Sequence, residues 1–265
     1  MASPPGLTAL CAGYEGKRWR AKALADHLIE WLPDFALKDS ERERFGAHNG
    51  VALLREAARS IYTSAKYQRR GELGEILLHI AMRQVFSTAP AVAKYFFKDS
   101  ANDTVKGFDA VHIVATGTSF ELWLGEVKFY DDVSAAIADV VKELQAHTKR
   151  DYMRDECAFI AKKIDPAWPH AARLKALLHR NTSMDKIFAA VCIPVLLTYE
   201  SATIAAHNAV SAAFKSDLAG EVRKHHRSFC SKTLPTNVKI HLFLIPLGVK
   251  EELVKAFDRR LRSHQ

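Results

Sequence analysis

Hydrophobic positions along the chain follow two rhythms. Between residues 18 and 66, RWRAKALADHLIEWL and VALLREAARSIYTSAKY repeat their apolar residues at helical spacing, with turn material around FGAHNG. YQRRGELGEILLHIAMRQVF (67–86) predicts another helix, with Leu73, Ile76, Leu77 and Ile80 on one stripe. The rhythm then changes. AVAKYFF (91–97) predicts a strand, and GFDAVHIVATGTSFELWLGEVKFY (107–130) a hairpin of two strongly apolar strands. A helix is expected over 131–147, with Asp131 and Asp132 at its N-terminus, where the helix dipole favours negative charge. Residues 150–180 read as helical and charged. KIFAAVCIPVLLTY (186–199) and TNVKIHLFLIPL (236–247) read as buried strands, separated by helix over 201–230 and followed by a closing helix from 250. The expected fold class is α/β, a mixed sheet flanked by helices. It divides into an N-terminal helical extension (1–66) and one larger domain (67–265) with a helical insertion near 150–180.

The hairpin contains a contradiction. Glu126, Lys128 and Asp109 lie in its most apolar strands. Side chains alternate along a strand, so Glu126 and Lys128 share a face with Leu122 and Leu124, while Trp123, Val127 and Phe129 share the other. Both faces being apolar, the strand is interior, and its charges mark the place where cover stops, the floor of a cleft. If Gly117 and Thr118 form a two-residue turn, paired residues sum to 235. Val111 then faces Leu124, Phe108 faces Val127, Lys128 faces Gly107, and Asp109 falls opposite Glu126. Two carboxylates about 5 Å apart repel by roughly 3 kcal/mol at an effective dielectric near 20. Either Lys128 neutralises the pair, or a divalent cation lies between its oxygens; Mg²⁺ favours all-oxygen sites of this kind.

Composition adds less. The 265 residues include 38 Lys and Arg against 30 Asp and Glu, for a net charge of +8, which favours a polyanionic partner. The four cysteines form no C-x-x-C pair and are expected as reduced thiols rather than disulfides or a zinc site. The N-terminus has no basic segment ahead of its short apolar run, and the longest apolar run is short and broken by proline. A soluble cytoplasmic protein with no membrane span is therefore expected. No P-loop, GxGxxG or nucleophile elbow is present, so any use of ATP falls to a partner.

A helix glutamate, an aspartate at one strand start and Glu-x-Lys on the next strand resemble the PD-(D/E)xK nuclease superfamily. The motifs stand here as Gly107-Phe108-Asp109, Glu126-Val127-Lys128 and Arg70-Gly71-Glu72-Leu73-Gly74-Glu75. The fuller set, RGELGEILLHI, KGFDAVHI and ELWLGEVKFY, resembles the nuclease subunit of the Hachiman anti-phage defence system (HamA) and the related anti-bacteriophage protein AbpA. The resemblance implies a restriction-endonuclease-like core and a metal-dependent DNA nuclease with little sequence specificity. It also implies a superfamily 2 helicase subunit as partner. Asp109, Glu126 and the Val127 backbone carbonyl would hold Mg²⁺ (or Mn²⁺), and Lys128 would act on the attacking water. Glu75, rather than Glu72, would be the helix acid, Glu72 being expected on a solvated face. His79 is expected on the helix flank, His112 in the core opposite Trp123, and Tyr130 over the core at the strand end. Arg69, Arg70, Lys106, Arg223, Lys224 and Arg227 are the candidate phosphate contacts. Two other readings stay open: a non-catalytic nucleic-acid-binding adaptor of the same fold, and a restriction- or resolvase-type endonuclease.

Overall fold

The computed structural model describes residues 4–264 except 45, 47, 65–70, 93–106 and 118. Arg69, Arg70 and Lys106, and most of the strand expected over 91–97, lie outside the described residues. The chain opens with β1 (Gly6–Ala9) and a small antiparallel pair, β2 (Tyr14–Glu15) and β3 (Arg18–Trp19). Helices α1 (Ala21–Glu30), α2 (Leu32–Ala36), α3 (Asp39–Arg42), α4 (Gly50–Ser64) and α5 (Glu72–Phe86) follow. Next come β4 (Ala89–Val92), β5 (Ala110–Thr116), β6 (Ser119–Phe129), α6 (Val133–His147), α7 (Arg150–Lys163), α8 (Ala171–Leu177), α9 (Met184–Ala190) and β7 (Val191–Glu200). The described chain finishes with α10 (Ala202–Ala206), α11 (Ala212–Cys230), β8 (Lys239–Leu247) and α12 (Lys250–Ser263).

One six-stranded mixed sheet organises the molecule, in the order β1-β8-β7-β6-β5-β4. β1, β8, β7 and β6 run parallel, and β5 and β4 are antiparallel to their neighbours. On one face, Val111, Ile113, Leu122, Leu124, Ile193, Val195 and Leu197 bury against α6 to α9 and α11. On the other, Trp123, Val127, Cys192, Leu196 and Phe243 bury against α1, α2, α4, α5 and α12. β6 is thus an interior strand covered on both faces, as its apolar residues require.

The first 66 residues are more than a helical extension. β1 completes the parallel edge of the sheet, pairing Gly6 with His241 through Ala9 with Leu244, and α1, α2 and α4 supply much of the second core. GLTA was too short and too weakly patterned to stand out as a strand beside the helical periodicity that follows it. The stretch expected as a strand from Lys186 begins instead with the last turns of α9, and β7 starts at Val191. All four cysteines are free; Cys157 and Cys192 are buried and Cys11 is exposed.

Candidate active site

The β5–β6 hairpin keeps the expected register, with Val111 against Leu124, His112 against Trp123 and Thr116 against Ser119. Gly117 takes the turn at φ +54°. The ladder ends at Ala110–Gly125, one residue short of the acids. There the Asp109 amide donates to the Gly125 carbonyl at 2.8 Å, and the Asp109 carboxylate accepts the Val127 amide at 2.9 Å. Asp109 is therefore bonded to the peptide between Glu126 and Lys128, and its charge acts on both side chains. Because the chain leaves the ladder here, Phe108 does not face Val127 as expected. It buries in the α6–α7 core, while Val127 buries in the α5 core.

The space expected beside Gly107 is filled by Glu156 of α7. A Cβ on Gly107 would lie 2.6 Å from one Glu156 carboxylate oxygen, and φ at this glycine is +143°. Glu156 is buried; burial raises its carboxyl above the ordinary value while the Phe108 amide acts to lower it. Its Oε1 has no hydrogen-bond partner among the described residues.

α6 supplies the rest. Ala136, Ile137, Val140 and Leu144 form its buried stripe, and the residues flanking that stripe meet β6 in a regular row. Asp139 accepts the Tyr130 hydroxyl at 3.0 Å. Glu143 accepts Lys128 Nζ at 2.5 Å. His147 Nδ1 pairs with Glu126 Oε1. Four residues of helix rise about 6 Å and two residues of strand about 6.6 Å, so helix positions 139, 143 and 147 match strand positions 130, 128 and 126. His147 also stacks on Tyr152, with centroids 4.3 Å apart and planes 9° from parallel.

The electrostatics follow from burial. Glu126 is 2% exposed. Desolvation first, and Asp109 second, push its carboxyl up to about 8 against the lowering effect of His147. Burial works against charge on His147, yet Glu126, Glu143 and Glu156 hold it above its ordinary value. Lys128 is likewise desolvated but raised by Glu143, Glu126 and Asp109. Burial and Asp109 thus favour keeping a proton on the Glu126–His147 pair, while Lys128 is turned to Glu143.

A HamA family model matches residues 2–261. The chain belongs to the HamA family. It is also similar to anti-bacteriophage protein A of Escherichia coli (strain K12), at 20% identity over 260 residues, covering 94% of this chain and 47% of that protein. The chain thus spans about half the length of this curated relative.

The remaining expected residues of this family member are spread more widely. α5 approaches β6 from the opposite layer, closely enough that a Cβ on Gly74 would lie 2.5 Å from Val127 Cγ1 and 3.0 Å from Phe129 Cβ. The first turn of α5, with Glu72 and half-buried Glu75, therefore stands at the end of β6 that bears Glu126 and Lys128. Glu72 is not on a fully solvated face, since its Oε2 is buried, with no hydrogen-bond partner among the described residues. His79 is not on a helix flank. It is buried between Asp34 (2.8 Å) and His112 (3.1 Å), and His112 continues to Thr88 at 2.7 Å. Arg223, Lys224 and Arg227 are exposed on α11, where the adjacent His225 packs edge-on against Tyr199.

As donors, Asp109, Glu126 and the Val127 carbonyl are hard oxygens suited to Mg²⁺, and the repulsion expressed at Glu126 is what a cation would relieve. Among the described residues no three His, Cys, Asp or Glu side chains are grouped to hold a metal ion. A cation here would thus rely on two carboxylates, the main chain and water. No helix among the described residues is long and apolar enough to cross a membrane.

Proposed function

We propose that this chain is a Mg²⁺-dependent DNA nuclease of the PD-(D/E)xK type, the effector subunit of an anti-phage defence complex with a helicase partner. The defence role is supported by membership of the HamA family and by the name of the bacterial relative. The observation that carries the chemistry is the convergence of Asp109, Glu126 and Lys128 where the β5–β6 ladder ends, with Asp109 bonded to the peptide between the other two.

Asp109, Glu126 and the Val127 carbonyl would hold Mg²⁺ (Mn²⁺ being the alternative), which when bound polarises the scissile phosphate and acidifies a water. Asp109 and the Val127 amide fix the relative placement of the two acids. Lys128 would leave Glu143 for the phosphate or the attacking water, where an ammonium stabilises developing negative charge. His147 would take the proton that Glu126 gives up as the pair becomes a ligand set. Glu75, at the same strand end, is the proposed helix acid.

The test is plasmid degradation by the full chain, alone and with its helicase partner, in Mg²⁺ and in EDTA. Lys128→Ala should lower cleavage at least 10²–10³-fold while melting close to wild type. A Lys128→Ala protein that melts normally and cuts at the wild-type rate would remove the assignment.

A further inference from the structure

A second charged feature lies away from the acids. The corner where β3 runs into α1 faces α12 across a cleft of about 730 Å³. Six cations line it, Arg18, Arg20 and Lys22 on one wall and Lys255, Arg259 and Arg260 on the other, against two acids, Glu15 and Glu252. Three of the cations are engaged: Arg20 with Glu15 at 3.6 Å, Lys255 with Glu251 at 2.7 Å, and Arg260 with Asp26. Arg18, Lys22 and Arg259 are exposed and meet no carboxylate among the described residues. Two walls of like charge repel each other, and among the described residues no ion pair engages these three.

The helices that wall the cleft, α1 and α12, cover the face of the sheet opposite the α6 layer that Lys128 meets. α12 begins at Lys250, whose ammonium lies 5.0 Å from the ring centre of Phe129, the residue after Lys128. Lys255 and Arg259, one turn apart, line the cleft from a face of α12 well round the helix from Lys250. The sequence pattern hid this cleft, because its two walls are more than 230 positions apart and only the fold brings KRWRAK and DRRLR together.

We infer that this cleft is a second phosphate-binding site, holding the backbone of a nucleic-acid strand. The inference deepens the nuclease reading and rests on it. Contacts of this kind are made through charge alone, so they carry affinity and salt dependence without sequence preference.

Binding of a fluorescent 20-mer oligodeoxynucleotide to the full chain, by anisotropy in EDTA across a salt series, tests this without cleavage. The triple variant Arg18→Gln/Lys22→Gln/Arg259→Gln should melt as wild type and bind at least tenfold more weakly at low salt. Its slope of log affinity against log salt should fall by about two for a single strand and nearly three for a duplex. If the triple variant melts early, the three single variants replace it, each expected to lower the slope by about one. Unchanged affinity and slope would overturn the inference. So would loss of binding to a fluorescent polyglutamate peptide with oligonucleotide binding intact, which would assign the cleft to an acidic protein segment. Wild-type protein that binds through the cleft but never cuts would leave the inference standing and remove the nuclease reading; a triple variant that binds and cuts as wild type would do the reverse.

Discussion

Burial is the strongest influence on the Glu126 carboxyl, and its consequence is a measurable dependence on pH. A carboxyl raised from its ordinary value near 4.5 to about 8, beside a histidine that is also raised, binds more protons folded than unfolded in that interval. Stability contributed by such a pair is present at low pH and is lost as pH climbs through the folded values. Metal-free protein should therefore become less stable between about pH 5 and 8, by a few kcal/mol at most, and level off above. Glu126→Gln should flatten this limb in urea melts taken in EDTA; a limb unchanged in Glu126→Gln would place the proton elsewhere. Much of this residue-scale picture was legible. Strand alternation and a two-residue turn put Asp109, Glu126 and Lys128 on one face in nearly the right register. What was not legible was the break before Ala110, which depends on Gly107 and on a glutamate 49 positions away, and which turns Phe108 away from Val127. The neutralising partner was missed as well: Lys128 turns first to Glu143.

That partner belongs to an element-scale arrangement, the row of Asp139, Glu143 and His147 on α6 against Tyr130, Lys128 and Glu126 on β6. The spacing D-x-x-x-E-x-x-x-H stands plainly in the sequence. It has meaning only once α6 is known to fold back antiparallel over the strand that precedes it, and that comparison of helix rise with strand rise could have found it. Because the Glu143 carboxylate is 38% exposed, Glu143→Gln should change stability by under about 1 kcal/mol. It should also release Lys128, so that nuclease activity is kept or raised. A drop comparable to that of Lys128→Ala would instead make Glu143 part of the machinery. A second row links elements distant in sequence: Asp34 of α2, His79 of α5, His112 of β5, and Thr88 just before β4. Burial, first, and the charges of Arg83 and Arg42 lower both histidines, against the pull of Asp34. Although burial pushes the Asp34 carboxyl upward, His79, Arg42 and Arg83 hold it well below the usual aspartate range. Depressed groups of either kind give stability that is lost on acidification, here below about pH 6.5 for the histidines and lower for Asp34. This limb opposes that of Glu126. In a Glu126→Gln background, melting temperature should fall as pH drops from 7 to 5, and Asp34→Asn should lower it across the range by leaving His79 poorly paired.

At the scale of the whole molecule, the sheet is assembled from both ends of the chain. β1 comes from the first ten residues and caps β8 from the last thirty, so the N-terminal segment protects an otherwise open edge. Periodicity revealed the helices of that segment and missed the four-residue strand, because a strand this short is specified by the partner it pairs with rather than by its own pattern. The same global enclosure explains why proton and cation should compete at the candidate active site. The sheet and its two helical layers bury Glu126 so completely that its negative charge needs company. Protons on Glu126 and His147 provide it in acid, and Mg²⁺ would provide it once they leave. A ligand that binds only the folded form stabilises by about 2.7 kcal/mol at a hundredfold excess over its dissociation constant, but only to the extent that its site is deprotonated. The melting-temperature gain from Mg²⁺ should accordingly be small near pH 6, grow towards pH 8, and disappear in Asp109→Asn and Glu126→Gln. It should survive in Lys128→Ala, which removes a cation rather than a ligand. A gain from Mg²⁺ that is independent of pH, or that persists in Glu126→Gln, would show that the ion binds elsewhere on the molecule.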